Sequence, residues 1–318
     1  MDKTPLFLKP ALHEKIWGGT RLRDLFGYDI PSETTGECWG ISAHPNGPAV
    51  IKNGTLAGKT LTEAWSTHPE LFDHYQSTAF PLLTKILDAR TDLSVQVHPD
   101  DAYAQKHEHV PFGKTECWYV IDCEKGSEIV YGHTAPTREA FAEAIEAKKW
   151  DSLLRRVKVK PGDFFYVPSG TIHAICGGCL ILETQQSSDT TYRVYDYDRP
   201  GKDGKPRPLH IKQSIECANC PHVDPKLTYH VVQKAQAKFT ELLREHLFTV
   251  SHWEIRGHAD PIAKTWPFLL MSVLGGEGSL SIDDTHYDLK KGDHLLVPST
   301  VEALSLDGEL DLIVSNPV

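Results

Sequence analysis

The chain has no excess of basic charge, no glycine-rich phosphate loop, no helix-turn-helix pattern and no apolar run long enough to span a membrane. Its 318 residues carry 33 Lys and Arg against 43 Asp and Glu, a formal net charge of −10. That balance argues against a nucleic-acid partner. It leaves room for a phosphorylated small molecule, which needs only local cations. The opening residues Met1-Asp2-Lys3-Thr4-Pro5 hold no apolar leader region, so the expected compartment is the cytoplasm, with no membrane partner. Seven cysteines, an odd number without an export signal, exclude a disulfide framework as the expected reading. Hydrophobic content of 40% with 24% charged residues is that of an ordinary globular protein.

Two cysteine pairs, Cys176-Gly177-Gly178-Cys179 and Cys217-Ala218-Asn219-Cys220, have the spacing of thiolate zinc ligands. The long polar stretch between them is unlike a compact zinc ribbon. The expected roles are small apolar fillers, the first pair in a strand-joining turn and the second near a strand start.

Short β-type runs separated by turns dominate the chain. Strands are expected over 6–9, 37–43, 49–52, 81–87 and 92–98, then from 157 to about 195. Beyond 227 they are expected over 230–232, 248–255, 268–274, 278–282, 294–297 and 310–314. Thr60-Leu61-Thr62-Glu63 is a capping-box pattern opening a short helix. A longer helix is expected over 137–154, with Thr137 as N-cap and Phe141, Ala144, Ile145 and Trp150 as an interrupted apolar face. Residues 198–205 read as a polar Gly/Pro loop. Trp17, Trp39 and Trp118 read as core aromatics.

Four candidate metal ligands fall in three β-type segments. In Gln96-Val97-His98 the first and last side chains leave a strand on one face. Glu116, in an otherwise apolar strand, would be strongly disfavoured there without a partner. His173 follows Gly162-Asp163-Phe164-Phe165-Tyr166-Val167-Pro168-Ser169. Two imidazoles, a carboxylate and an amide suit Zn²⁺ or a similar divalent ion. A bland alternative stands beside each of them. His98 could simply precede a helix capped by Asp100 or Asp101, and Gln96 could be an ordinary satisfied polar residue. Arg193, in Tyr192-Arg193-Val194-Tyr195, could be a solvated strand arginine.

Lys160-Pro161-Gly162-Asp163 through Val167-Pro168-Ser169 has a second copy, Lys290-Lys291-Gly292-Asp293 through Val297-Pro298-Ser299. Such a repeat suggests two related strand-rich units. Five residues past the proline the first copy has His173 and the second Ala303, so only the first keeps the ligand.

Gly162-x5-Pro168-x-Gly170-x2-His173 resembles the second motif of the cupin superfamily, with Gly177 where cupins often carry asparagine. The first motif differs, with Gln96-x-His98 in place of His-x-His and with Glu116 eighteen positions on. One family shares this variant. Trp17-Gly18-Gly19, Glu37-Cys38-Trp39-Gly40-Ile41-Ser42 and Phe80-Pro81-Leu82-Leu83-x-Lys85 resemble type I mannose-6-phosphate isomerases in their short bacterial form. So do Gln96-Val97-His98-Pro99-Asp100, Gly113-Lys114-Thr115-Glu116-Cys117-Trp118-Tyr119 and Tyr192-Arg193-Val194-Tyr195-Asp196. The resemblance runs from about residue 5 to the end and is weakest after Tyr229.

That resemblance implies a mainly β protein of two cupin-type (jelly-roll) barrels with a small helical segment. The expected division is 1–225, catalytic, and 226–318, metal-free. It implies Gln96, His98, Glu116 and His173 as Zn²⁺ ligands, and Lys114, Arg193 and Glu183 as catalytic residues. The expected reaction interconverts mannose 6-phosphate and fructose 6-phosphate through an enediol, in a monomer or weak homodimer. Lys114 or Arg193 would donate to the developing oxyanion. Glu183 is the candidate base, and Lys85, Lys114, Arg193 and Ser94 are candidates for the phosphate. Two other readings compete. An iron-dependent oxygenase could use the two histidines and the glutamate, and oxygen uptake would reveal it. A sugar-phosphate sensor would have no need of a complete ligand set.

Overall fold

The computed structural model describes residues 2–201 and 204–318. The polar loop expected over 198–205 includes residues 202 and 203, which lie outside the described residues. The protein is mainly β, with antiparallel sheets of nine, six and five strands. The six-stranded sheet contains Glu116–Cys123, Cys179–Gln186, Leu82–Asp88 and Thr35–Ile41 as neighbours. The five-stranded sheet contains Tyr192–Tyr195, Val95–Val97, His173–Ile175, Glu128–His133 and Leu154–Lys158, in that order.

These two sheets share a core of Leu87, Trp118, Val120 and Ile181 from one and Ile129, Tyr131 and Ile175 from the other. The far face of the five-stranded sheet packs Val95, Val97, Tyr192 and Val194 against Phe141 and Ile145 of a helix. Strand alternation therefore sends Gln96 and Arg193 away from that apolar layer. The nine-stranded sheet gathers the C-terminal strands around Ile255, Met271, Leu280, Leu295 and Leu310. It also takes in Leu6–Lys9, which pairs with His294–Val297 and with Val50–Ile51.

The internal repeat is a real structural equivalence at the turn. Gly162 and Gly292 have φ of 89° and 91°, left-handed values that favour glycine. The Asp163 carboxylate accepts the Lys160 amide at 2.9 Å and the Asp293 carboxylate accepts the Lys290 amide at 3.0 Å. The two turns lead into Phe164–Val167 and His294–Val297.

Several expectations are corrected. The helix expected over 137–154 is broken into Arg138–Glu146 and Trp150–Leu153. Thr137 does cap it, accepting from the Ala140 amide at 3.2 Å. Lys148 turns to φ 51°, and the chain redirects so that Leu154 enters the sheet opposite His133. The runs expected over 268–274 and 278–282 are one strand, Leu269–Ile282, whose register shifts between Val273 and Gly275. The strands Ala11–Gly19 and Ala237–Arg244 were not expected. The capping box at Thr60 and Glu63 is present with both of its hydrogen bonds.

All seven cysteines are free. Cys176 and Cys179 flank a strand-joining turn, as expected. Cys217 and Cys220 do not lie near a strand start, because Cys217 ends the helix Ile211–Cys217. Among the described residues, the cysteine pairs do not converge on a metal-binding group.

Candidate active site

His98, Glu116 and His173 converge from both facing sheets. Their ligand atoms lie within 4.8 Å of one another, and all three residues are buried. The Cα partner of His173 across the strands is Gln96, so an amide stands beside the second imidazole. His98 Nε2 is 3.5 Å from Glu116 Oε2, and His173 Nε2 is 3.3 Å from Glu116 Oε1.

The backbone decides which ring nitrogen is free. His98 Nδ1 donates to the Thr190 carbonyl at 2.9 Å, and His173 Nδ1 donates to the Thr171 carbonyl at 2.9 Å. Both Nε2 atoms therefore carry lone pairs aimed at the cluster. His173 Nε2 is buried with no hydrogen-bond partner among the described residues. Burial and the neighbouring Lys114 ammonium hold the His173 imidazole down at about 4. The same two causes, with His173 adding, hold His98 well below its ordinary value. Two neutral imidazoles and a carboxylate, with an orphaned nitrogen aimed between them, fit a divalent cation with N/O preference.

Lys114 reaches this cluster because its backbone is pinned beside His98. Its amide donates to the Pro99 carbonyl at 3.0 Å. Gly113 lies so close to that segment that a Cβ would stand 2.5 Å from the Pro99 oxygen. The Lys114 ammonium meets the Glu116 carboxylate and lies 3.0 Å from His98 Nε2. Burial alone would favour the neutral amine, but Glu116 and Glu183 outweigh it and raise its pKa.

Glu183 sits in a cross-strand row, paired with Lys85 on one side and Trp118 on the other. Its carboxylate is 3.8 Å from both the Lys85 and the Lys114 ammonium. Burial, reinforced by Glu116, raises its pKa. The Trp118 indole N–H is shared between Glu116 Oε1 at 3.1 Å and Glu183 Oε2 at 3.0 Å. Trp118 is core, as expected, and it also fixes the two carboxylates relative to each other.

A polar cavity of about 240 Å³ opens beside the cluster, lined by Gln96, Lys114, Glu183 and Arg193 together with Lys85 and Ser94. All seven expected site residues therefore lie in the cluster or on this cavity. Arg193 faces inward and is not the solvated outer-face arginine of the bland reading. Sequence reasoning missed Lys15, Glu37, Asp189 and Arg207, which line the same cavity. Glu37 carried the signal used for Glu116, a lone carboxylate in an apolar strand. Burial pushes its pKa up, but Lys85 and Lys15 pull it down further, to about 2.

Comparison with known proteins gives a consistent result. Residues 6–134 match the family described as phosphomannose isomerase type I, catalytic domain, and residues 238–317 match the mannose-6-phosphate isomerase cupin domain. The chain is 53% identical to the mannose-6-phosphate isomerase ManA of Bacillus subtilis, covering 99% of this chain and 100% of that protein. It is 53% identical to the mannose-6-phosphate isomerase of Streptococcus mutans, covering 98% of each. The crystal structure of a mannose 6-phosphate isomerase from Bacillus subtilis superposes with a TM-score of 0.96 at 50% identity, covering 98% of this chain and 99% of that one. The chain belongs to the type I phosphomannose isomerase family.

Proposed function

We propose that the protein interconverts mannose 6-phosphate and fructose 6-phosphate by proton transfer through an enediol, with Zn²⁺ as its metal. The observation that carries this is the buried His98–Glu116–His173 group, opening onto a cavity that also holds Lys114 and Glu183. The names of the full-length relatives support the substrate pair. Gln96, His98, Glu116 and His173 would hold the ion. When bound, a divalent cation with an open position supplies Lewis-acid polarisation or a template for substrate oxygens.

The protein's own groups carry the remaining work. Lys114, adjacent to the cluster, donates to the oxygen that gains charge as the proton leaves. Glu183 moves that proton between C2 and C1, and the Trp118 N–H keeps its carboxylate in place. His98 and His173 are poor bases here, because their Nε2 atoms face the cluster. Arg193 belongs to the other end of the substrate. It is the Cα partner of Gln96, which in turn pairs with His173. Two strand spacings, about 10 Å, separate Arg193 from His173, a span suited to the phosphate end of an extended hexose chain.

We also infer two cupin-type barrels, a catalytic unit over 1–225 and a metal-free unit over 226–318. Ala303, at the repeat position equivalent to His173, supports a supporting role for the second. The strand Leu6–Lys9 ties the units together through its pairing with His294–Val297. The net charge of −10 supports a protein without nucleic-acid partners, which we place in the cytoplasm as a monomer or weak homodimer.

The test is fructose 6-phosphate formation from mannose 6-phosphate by chelator-stripped protein, with and without added Zn²⁺. Activity restored by zinc is expected. Inactivity under both conditions would turn the reading toward a sensor.

A further inference from the structure

The cations around the cavity are not evenly paired. On the six-stranded sheet each ammonium has its own carboxylate: Lys15 with Glu37 at 3.1 Å, Lys85 with Glu183 at 3.8 Å, and Lys114 with Glu116. That wall has no cation to spare. The wall formed by the five-stranded sheet and the loop after it is different. Arg193 and Arg207 both line it. Among the described residues, no carboxylate forms an ion pair with Arg193. Its Nη1 donates to the Pro208 carbonyl at 3.1 Å, and its buried Nε has no hydrogen-bond partner among the described residues.

Arg207 is oriented by the buried carboxylate of Asp196. Its Nε and Nη2 donate to the two Asp196 oxygens at 2.7 Å each, a bidentate fork. Asp196 also accepts from Arg199 Nε at 3.0 Å, so it is not free to neutralise Arg207 alone. With Nε and Nη2 turned to Asp196, Nη1 is the guanidinium nitrogen not spent on that carboxylate. Burial, then the neighbouring Arg207, depress the Arg193 pKa, and Asp196 offsets part of that.

We propose that Arg207, held in place by Asp196, completes with Arg193 a two-guanidinium seat for the phosphoryl group of the substrate. The inference rests on the sugar-phosphate reading above and adds residues that the sequence did not suggest. Arg207 binds substrate, and Asp196 is a positioning residue that acts through it. A planar guanidinium fork suits phosphate oxygens better than an ammonium does.

The test is calorimetric titration of fructose 6-phosphate, and separately of inorganic phosphate, onto the zinc-loaded full chain. Arg207→Gln should weaken fructose 6-phosphate about 10- to 100-fold, the range for losing charge-assisted hydrogen bonds. Arg207→Lys should recover only part of that loss. Asp196→Asn should weaken binding in the same direction, and the double variant should bind no more weakly than Arg207→Gln alone, the signature of one shared interaction. Arg207→Lys, which keeps a cation beside Asp196, should unfold near the wild-type temperature, whereas Arg207→Gln should unfold somewhat lower because it leaves the buried Asp196 carboxylate with Arg199 alone.

Binding by Arg207→Gln within twofold of wild type, in a protein that isomerises, overturns the seat and leaves the isomerase reading intact. Wild-type protein that binds fructose 6-phosphate through Arg207 without converting it overturns the isomerase reading and leaves the seat standing. A wild type that binds neither ligand overturns both.

Discussion

Gln96 and His173 are direct Cα partners across antiparallel strands, so an amide and an imidazole leave the sheet together on one face. His98, two residues from Gln96, and Glu116, from the facing sheet, complete the group. Removing His173 takes away the nitrogen that has no hydrogen-bond partner among the described residues. His173→Ala should therefore lose zinc on dialysis, while Gln96→Ala, lacking only the weakest donor, should bind it less tightly. Metal analysis after dialysis checks both. Thermal unfolding gives a second readout, since a ligand at 100 times its Kd stabilises by about 2.7 kcal/mol. Added zinc should raise the Tm of the wild type and leave that of His173→Ala unmoved.

Lys114 is proposed above as the donor to the developing oxyanion, and its contacts with His98 and Glu116 support that role. Loss of one such donor typically costs about 100- to 1,000-fold in kcat. Lys114→Met should show that loss while retaining zinc, because the amine is not among the proposed ligands. Steady-state kinetics combined with metal analysis tests this. A variant that is both zinc-loaded and near-normal in kcat would remove Lys114 from the mechanism.

The motifs around Gln96, His98, Glu116 and His173 were legible because strand alternation converts spacing into facing. Gln96 and Arg193 turn inward for the same reason that Val95, Val97, Tyr192 and Val194 turn outward. The same rule could have placed the Trp118 indole beside Glu116, two residues earlier on its strand. The break at Lys148 was not legible. An apolar face through Phe141, Ala144, Ile145 and Trp150 reads as one helix, and only the tertiary demand that Leu154 meet His133 ends it early. Arg207 was invisible for a different reason: it lies in an irregular loop, where no periodicity says which way a side chain points.

Glu183 is proposed to carry the proton between carbons. Glu183→Gln keeps the shape and an acceptor for Trp118 while removing the base. Its expected cost is about 10²- to 10⁴-fold in turnover. The diagnostic measurement is incorporation of solvent deuterium at C1 and C2 during prolonged incubation with mannose 6-phosphate. The variant should slow this exchange as much as it slows product formation. Exchange at the wild-type rate alongside slow product formation would assign proton removal to another group.

The second copy of the repeat carries a different histidine to a different end. His294 is fully enclosed between Tyr28, Ser272 and Gly40, where an added Cβ would lie 2.4 Å from its ring. Tyr28 donates its hydroxyl proton to the Gly292 carbonyl at 2.8 Å. His294 Nε2 must therefore donate to the Tyr28 oxygen, and Nδ1 accepts from Ser272 at 2.8 Å. The imidazole is thus held neutral, and burial, with a smaller push from Lys52, drops its pKa to about 3. A depressed histidine contributes stability that is complete above its unfolded value near 6.5 and is lost as pH falls toward the folded value. Between pH 6 and pH 4 this group should add a slope of up to about 1.4 kcal/mol per pH unit. Urea unfolding of zinc-loaded protein at several pH values measures that slope. His294→Gln should be less stable at pH 7, because it disrupts the packing and the pair of hydrogen bonds. Its stability should nonetheless fall less steeply on acidification than that of the wild type. Equal slopes in the two proteins would mean that His294 does not titrate between its folded and unfolded states in this window.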